Sequence, residues 1–314
     1  METIAGLDTV VLRLAYRPPY DFQHLQEFLA RRALAGVERV DAAGYARTLA
    51  CPGGHALLAV RALAGEDALE LRVAGAPPSA LLPLAQRARR VFDLAGDPAG
   101  IGAELAADPL IGPLVAERPG VRIPGAWDPF ECAVRAVLGQ QVSVAAGRTF
   151  AARLVERSGE PLRGGGAGLT HLFPTPARVA RANLAGLGIT GARAAALKSL
   201  ARAVLERRLD FSAAPADVVA ALGALPGIGP WTAQYVALRS LGEPDALPYG
   251  DWVLRRMAAP GEAMLSAREL EERARRWRPW RGYATVHLWR AAAEREGRAP
   301  RRPGKRPAEA ARPA

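Results

Sequence analysis

The chain has 314 residues, half of them apolar, and a formal net charge of +11. This length allows two or three domains with hydrophobic cores, and the two cysteines, Cys51 and Cys132, exclude a disulfide framework and a four-thiolate metal site. The positive charge favours a polyanionic partner such as nucleic acid, although an arginine-rich composition produces the same excess without a functional cause. Because the N-terminus lacks a secretory pattern and no apolar run reaches about 18 residues, we expect a cytoplasmic protein.

Residues 1–97 are predicted to form a small α+β domain. TVVLRLAY at 9–16 is branched and apolar enough for a strand, and Asp21 can cap a helix over 22–32. Glycine-containing turns separate the stretches that follow, which is typical of an antiparallel sheet. Three further strands and one helix are predicted at 44–50, 55–63, 68–75 and 79–94.

Residues 98–296 are predicted to form a mostly helical domain, because almost no strand pattern occurs there and short Gly/Pro segments join helical runs. The predicted helices cover 129–159, 176–187, 191–209, 215–225, 229–241, 251–258, 266–277 and 283–296. GGGAG at 164–168 is predicted to be a surface loop. The basic tail at 297–314 has no apolar periodicity and is predicted to be disordered.

The segment LPGIGPWTAQY at 225–235 contains a glycine turn directly before a predicted helix. Such a turn leaves backbone N–H groups unpaired at a helix N-terminus, where they can bind a phosphate without sequence preference. With the preceding predicted helix it forms a helix-hairpin-helix; an ordinary helical hairpin with a glycine cap is the alternative. A second glycine turn, in LGITGARAAAL at 187–197, matches this pattern weakly. The predicted DNA-binding residues of the hairpin are Leu225, Gly227, Ile228, Gly229 and Thr232.

Asp251 in LPYGDW opens another predicted helix. Aspartate is a frequent helix N-cap, so a purely structural role is one interpretation. The other is a carboxylate whose charge is favoured by the helix dipole and which faces a cleft. Its position about twenty residues after the glycine hairpin favours the second interpretation, because this is the active-site spacing of one DNA-repair superfamily.

Several ordered blocks carry a family resemblance: PPYDF (18–22), VFDL (91–94), RPGVRIPGAWDPFECAVRAVLGQQVSV (118–144), FPTPARVA (173–180), LPGIGPWTAQYVALR (225–239), LPYGDW (247–252) and RWRPWRGYATVHLW (276–289). From about residue 9 to 298 the chain resembles the helix-hairpin-helix DNA glycosylases and, within them, the bacterial AlkA-type 3-methyladenine DNA glycosylases II. The resemblance implies an α+β fold: an N-terminal domain like half of a TATA-binding protein, then two helical subdomains flanking an active-site cleft. It also implies that Asp251 is the catalytic aspartate.

The resemblance implies a monofunctional enzyme that uses no cofactor. Bifunctional relatives carry a Schiff-base lysine where this chain has Trp231, and no lysine lies near the motif. Relatives with an iron–sulfur cluster need four cysteines after the hairpin, and this chain has none there. Asp251 would stabilise the positive charge that develops on the sugar as the N-glycosidic bond breaks. The target base must first leave the duplex stack.

Alkylation makes a purine cationic, and aromatic faces attract a cation by about 0.5–2 kcal/mol per good contact. For Trp277 and Trp280 we prefer core packing to a role in base binding. Arg290 replaces the tyrosine of a well-known member; it would disfavour a cationic base if it pointed inward, or it faces a phosphate. The resemblance places the base pocket at Trp231, Tyr235, Trp252 and Trp289, with Phe28 from the first domain.

LGQQVSV at 138–144 is predicted to supply the wedge that fills the gap left by a flipped base. Gln140 and Gln141 are the candidates, and a polar kink in a helical run is the alternative. The four histidines have no metal or triad spacing, so no metal site is predicted.

The sequence thus favours an enzyme that removes alkylated purines such as 3-methyladenine and 7-methylguanine and leaves an abasic site. Two alternatives stay open: a glycosylase of the same fold for deaminated or oxidised bases, and a non-catalytic helix-hairpin-helix DNA-binding protein. The expected partner is duplex DNA with damaged bases, with a monovalent cation at the contact between hairpin and phosphate. We expect a monomer.

Overall fold

The computed structural model describes residues 8–162, 168–261 and 263–298. The predicted loop at 164–168 lies outside these residues except for Gly168. The predicted tail lies outside them from residue 299 onward, and its first two residues still belong to the last helix.

A five-stranded antiparallel sheet forms the N-terminal domain, as predicted. Its strands are β1 (Thr9–Ala15), β2 (Glu38–Asp41), β3 (Gly44–Cys51), β4 (Gly54–Ala62) and β5 (Ala68–Ala74), in the spatial order β1-β5-β4-β3-β2. The short edge strand β2 is not predicted from the sequence, because its four residues lack a regular alternation of buried and exposed positions.

Two helices cover the sheet: α1 (Phe22–Arg32) and α2 (Pro78–Val91). Asp21 caps α1 as predicted, because its carboxylate accepts the backbone N–H of His24 at 2.9 Å. The buried face of α1 recurs every three or four residues, at His24, Leu25, Phe28 and Leu29. This face therefore carries Phe28 toward the second domain.

The second domain is mostly helical, as predicted. Among its described residues, the strand content is a two-residue pairing of β6 (Glu160–Pro161) with β7 (His171–Leu172) and one isolated bridge from Leu169 to Gly36. A π-helical turn (Ala237–Leu241) extends the helix that ends at Val236, and a 3-10 turn (Ala274–Trp277) extends the helix that ends at Arg273. Its elements are α3 (Pro98–Leu105), α4 (Ile111–Glu117), α5 (Pro129–Gly139), α6 (Val144–Ser158), β6 (Glu160–Pro161), β7 (His171–Leu172), α7 (Pro176–Arg181), α8 (Gly191–Leu205), α9 (Pro215–Gly223), α10 (Pro230–Val236), α11 (Trp252–Met257), α12 (Ala267–Arg273) and α13 (Arg281–Arg298).

The helix predicted over 129–159 is in fact two helices, α5 and α6. The break falls at Gln140 and Gln141, and Gln141 has a left-handed φ of 55° that no α-helix accommodates. Ser143 then starts α6, because its hydroxyl accepts the backbone N–H of Ala146 at 3.2 Å. The two glutamines therefore form a loop tip between helices.

The second domain has two hydrophobic cores, one that includes residues of α10 and one that includes residues of the π-helical turn after it. One core joins α5 to α10 and includes Val134, Leu197 and Val236. The other joins α3, α4 and α11 to α13, and Trp277 is completely buried in it, with Trp280 packed against it. Within the described part of the chain, no helix combines the length and apolarity needed to cross a membrane.

Candidate active site

Asp251 accepts hydrogen bonds from three N–H donors that come from three different helices. As the N-cap of α11, it accepts the backbone N–H of Leu254 on Oδ1 at 3.0 Å. Its Oδ2 accepts the indole N–H of Trp231 at 3.0 Å, and its Oδ1 accepts that of Trp289 at 3.3 Å. The same carboxylate therefore caps α11 and binds both indoles, so its capping role does not exclude a functional one.

Local sequence explains how α10 presents its part of this site. Gly229 is the N-cap of α10 and Pro230 is its first residue, a position where proline loses no hydrogen bond. Trp231 follows in the first turn, and Tyr235 lies one turn later on the same face. Their rings stack with centroids 5.3 Å apart.

Four of the five predicted pocket aromatics lie next to one another; we call them the aromatic cluster: Phe28, Trp231, Tyr235 and Trp289. Beyond the stacked pair in α10, the rings of Tyr235 and Trp289 are 5.9 Å apart, and those of Trp289 and Phe28 are 6.3 Å apart. All these separations are typical of interacting aromatic rings. Phe28 reaches the cluster from the N-terminal domain, as the resemblance implied.

Trp252 lies apart from this cluster. Its side chain is 63% exposed, and no ring contact joins it to the four aromatics described here. Trp252 is the first residue of α11, directly after Asp251 in the chain, and it is exposed to solvent.

Two arginines at the Phe28 end of the cluster are not predicted from the sequence. The guanidinium of Arg32 lies 3.7 Å from the Phe28 ring centre and that of Arg239 lies 4.6 Å from it. Arg239 also donates to the Tyr235 hydroxyl at 2.5 Å and to the Gly125 carbonyl at 3.2 Å. Burial, with a smaller contribution from Arg239, lowers the pKa of Arg32 to about 10. The sequence feature that could have indicated these two arginines is their spacing, because each lies four residues, or one helical turn, after a pocket aromatic.

The guanidinium of Arg290 is buried and pairs with two glutamates that reach the surface. It is only 4% exposed and donates to Glu294 at 2.7 Å and to Glu117 at 3.1 Å. It therefore neither points at the aromatic cluster nor faces a phosphate, contrary to both expectations. Burial lowers the pKa of the neighbouring His24 to about 4 and that of His287 to about 3, and the charge of Arg290 contributes to both shifts.

The five predicted hairpin residues divide into an exposed turn and a buried support. Gly227, with a left-handed φ of 80°, and Gly229 are exposed. Leu225 and Ile228 are buried in the first core and attach the turn to it. Thr232 is 1% exposed, so the structure does not offer it for the direct DNA contact that the sequence suggested.

The two predicted wedge residues have different environments. Gln141 is exposed at the loop tip. Gln140 instead directs its amide N–H groups to the hairpin, where they donate to the Gly227 carbonyl and to the Thr232 hydroxyl, each at 3.0 Å. The expectation that both glutamines point at DNA therefore fits only Gln141. In the residues that the structure covers, no group of His, Cys, Asp and Glu side chains is arranged to hold a metal ion.

Comparisons with known proteins match both halves of the chain. Residues 11–128 match the AlkA N-terminal domain, and residues 134–281 match the HhH-GPD superfamily base excision DNA repair protein family. The DNA-3-methyladenine glycosylase 2 of Escherichia coli K12 is 38% identical over 283 residues, which cover 88% of this chain and 95% of that relative.

A second relative is longer than this chain. The probable bifunctional transcriptional activator/DNA repair enzyme AlkA of Mycobacterium tuberculosis H37Rv is 38% identical over 288 residues, or 91% of this chain. The chain spans only 58% of that relative.

The folded structure is similar to that of a 3-methyladenine DNA-glycosylase from Archaeoglobus fulgidus, with a TM-score of 0.78. That match covers 90% of this chain and 98% of the other, and its 19% sequence identity supports the fold alone. The two family matches and the near full-length similarity to the E. coli protein place the chain in the AlkA family of DNA glycosylases, within the HhH-GPD superfamily of base excision DNA repair proteins.

Proposed function

We propose that this chain is a monofunctional DNA glycosylase that hydrolyses the N-glycosidic bond of alkylated purines, 3-methyladenine and 7-methylguanine among them. The observation that carries the proposal is the carboxylate of Asp251, held by two indole N–H groups beside the aromatic cluster. This arrangement combines a surface for a flipped, electron-poor base with a negative charge for the sugar. The E. coli relative, named a DNA-3-methyladenine glycosylase, is consistent with this substrate class.

Charge stabilisation is the main catalytic contribution that we assign to Asp251. As the glycosidic bond lengthens, positive charge develops at C1′ and its ring oxygen. A carboxylate about 4 Å from that charge contributes about 4 kcal/mol at an effective dielectric constant of about 20. This corresponds to about a thousandfold in rate. The same carboxylate can orient the attacking water.

The absence of lyase chemistry follows from the groups near Asp251. A strand nick requires an amine that forms a Schiff base with the sugar. The only lysines in the chain are Lys198 and Lys305, and the position of the lysine in bifunctional relatives is occupied by Trp231, whose N–H is bound to Asp251. We therefore expect an intact abasic site as the product.

Recognition of duplex DNA is assigned to the hairpin and the loop tip. The exposed turn at Gly227 and Gly229 binds a backbone phosphate, with a monovalent cation completing the contact. Gln141 enters the stack when the base leaves it. We further propose that the protein acts as a monomer on DNA in the cytoplasm.

A second substrate class is favoured by one observation. Arg32 and Arg239 place two positive charges at the Phe28 end of the aromatic cluster. These charges reduce the attraction for a cationic base and favour a neutral, deaminated or oxidised one instead. Excision of such bases is the alternative to be tested alongside the first.

The decisive experiment measures base release from methylated duplex DNA, with the freed bases identified by mass, for the wild type and Asp251→Asn. We expect release of 3-methyladenine and 7-methylguanine by the wild type and about a thousandfold slower release by the variant. DNA affinity should be unchanged, because asparagine caps a helix about as well as aspartate. Asp128→Asn, which changes the N-cap of α5 in the same way, serves as the matched control.

Three other outcomes would each contradict one part of the proposal. A wild type that binds DNA but releases no methylated base contradicts the alkylated-purine assignment, and duplexes with inosine or 8-oxoguanine then test the second class. Equal loss of binding and release in Asp251→Asn, or loss of neither, contradicts the catalytic role and favours a DNA-binding protein. Nicking of an abasic duplex by the wild type contradicts the monofunctional assignment.

A further inference from the structure

Three segments that are distant in the chain meet at Gln140, one residue before the loop tip. Its side-chain amide donates to the Gly227 carbonyl and to the Thr232 hydroxyl, each at 3.0 Å. Its backbone carbonyl accepts a hydrogen bond from the guanidinium of Arg193 at 2.6 Å. The loop between α5 and α6 is therefore held by the hairpin on one side and by α8 on the other.

The neighbouring residue needs such support. Gln141 has a left-handed φ of 55°, a conformation that residues other than glycine keep only when their surroundings hold it. Its own side chain is exposed, so the support comes from the residue before it. The tie at Gln140 fixes the peptide that leads into this strained position.

Arg193 is itself held in place. It lies in the first turn of α8, and its guanidinium lies 5.9 Å from the ring of Phe150 in α6. The second glycine turn, which leads into α8, is also bound to α6, because Arg153 of α6 donates to the Leu187 carbonyl at 3.0 Å. This glycine turn therefore connects α6 to the start of α8.

The hairpin also rests directly on α8. A Cβ atom added at Gly227 would lie 2.8 Å from the Cβ of Ala196. A shift of the hairpin relative to α8 would therefore strain both this contact and the two hydrogen bonds from Gln140. Hairpin, α8 and loop tip form one packed unit.

We propose that Gln140 and Arg193 are positioning residues that set Gln141 at a fixed place relative to the phosphate-binding hairpin. This inference rests on the proposed function, in which Gln141 is the wedge. Neither residue needs to touch DNA, since Gln140 acts through hydrogen bonds to the hairpin and Arg193 through the Gln140 carbonyl. Binding of a phosphate at the hairpin then places Gln141 against the base stack without a separate conformational step.

The test compares Gln140→Leu and Arg193→Met, each made in the wild type and again in a Gln141→Ala background. Arg202→Met, on the exposed part of α8, controls for the loss of one positive charge from that helix. Base extrusion is followed by the fluorescence of 2-aminopurine placed beside the lesion, and base release is followed in parallel. The extrusion signal needs no catalysis, so failure of the proposed function and failure of this inference are distinguishable.

We expect Gln140→Leu and Arg193→Met each to reduce extrusion of a paired lesion at least about tenfold, because Arg193→Met removes one hydrogen bond and Gln140→Leu removes two. The loss should be small when the lesion lies opposite an abasic site, where extrusion costs little. In the Gln141→Ala background neither variant should cause a further loss. Equal losses for paired and unpaired lesions, additive losses with Gln141→Ala, or an effect of Arg193→Met no larger than that of Arg202→Met would overturn the proposal.

Discussion

Trp231 combines two interactions in one side chain, and Trp231→Phe separates them. The substitution keeps an aromatic face toward Tyr235, 5.3 Å away, and removes the indole N–H that donates to Asp251 at 3.0 Å. A hydrogen bond to a charged group contributes about 1.5–3 kcal/mol. If the bond orients the carboxylate in the transition state, its loss slows base release by roughly 10- to 150-fold.

The assay is the single-turnover rate constant of base release from a duplex with one lesion, at saturating enzyme. Saturation removes differences in DNA affinity, so that the rate constant reports the step after binding. Trp289→Phe is the matched comparison, because its N–H lies farther from the carboxylate, at 3.3 Å, and its loss should cost less.

A double-mutant cycle with Asp251→Asn shows whether Trp231 acts through the carboxylate. The amide oxygen of asparagine still accepts a hydrogen bond, but without the charge that strengthens it. Trp231→Phe should therefore cost about 1 kcal/mol less in the Asp251→Asn background than in the wild type. An equal cost in both backgrounds would refute the reasoning and would leave Trp231 with a stacking role alone.

Two further predictions concern the hairpin and the histidines. Gly227→Ala should destabilise the protein by about 1–2 kcal/mol and weaken binding to undamaged duplex, because Gly227 has a φ of 80° and its added Cβ would meet Ala196 at 2.8 Å. Thermal unfolding and filter binding measure this against Gly223→Ala, whose Cβ enters open space; equal stability of the two variants would contradict it. His24 has a folded pKa of about 4, so below pH 6.5 the unfolded state binds the proton more tightly, and stability that is complete above pH 6.5 is lost as the pH falls toward 4. In urea unfolding, the loss of stability between pH 7 and pH 5 should be about 2 kcal/mol smaller for His24→Phe than for the wild type, because His287, whose pKa is also lowered, contributes equally to both proteins. Parallel pH profiles for the two proteins would contradict this assignment.

Helix caps, turns and most strands could be predicted from short stretches of sequence, because these features depend on interactions between residues that are close together in the chain. Asp21 and Asp251 cap helices through contacts with residues three positions along the chain. Gly227 adopts a left-handed turn that glycine favours intrinsically. The cap at Asp21, the branched apolar stretches and the glycine-containing turns between them likewise predicted α1 and four of the five strands of the sheet.

The resemblance added what local signals do not contain. It assigned Phe28, Trp231 and Trp289 to one base pocket and the catalytic role to Asp251. In the structure Phe28 contacts Trp289 and Trp231 donates to Asp251. These contacts join distant parts of the chain, so neither periodicity nor spacing predicts them.

Other features depended on which distant partner a side chain meets. Arg290 pairs with Glu117, 173 residues away, and this partner turns it from the aromatic cluster. Gln140 and Gln141 are chemically identical neighbours, but only Gln140 lies within reach of the hairpin, which leaves Gln141 exposed at the tip. Thr232, which accepts a hydrogen bond from the same amide, is buried. The amino-acid types defined what each of these groups can bind, and the packing of the helices decided which partner each one has, because a hydrogen bond forms only between groups that the fold brings within about 3 Å.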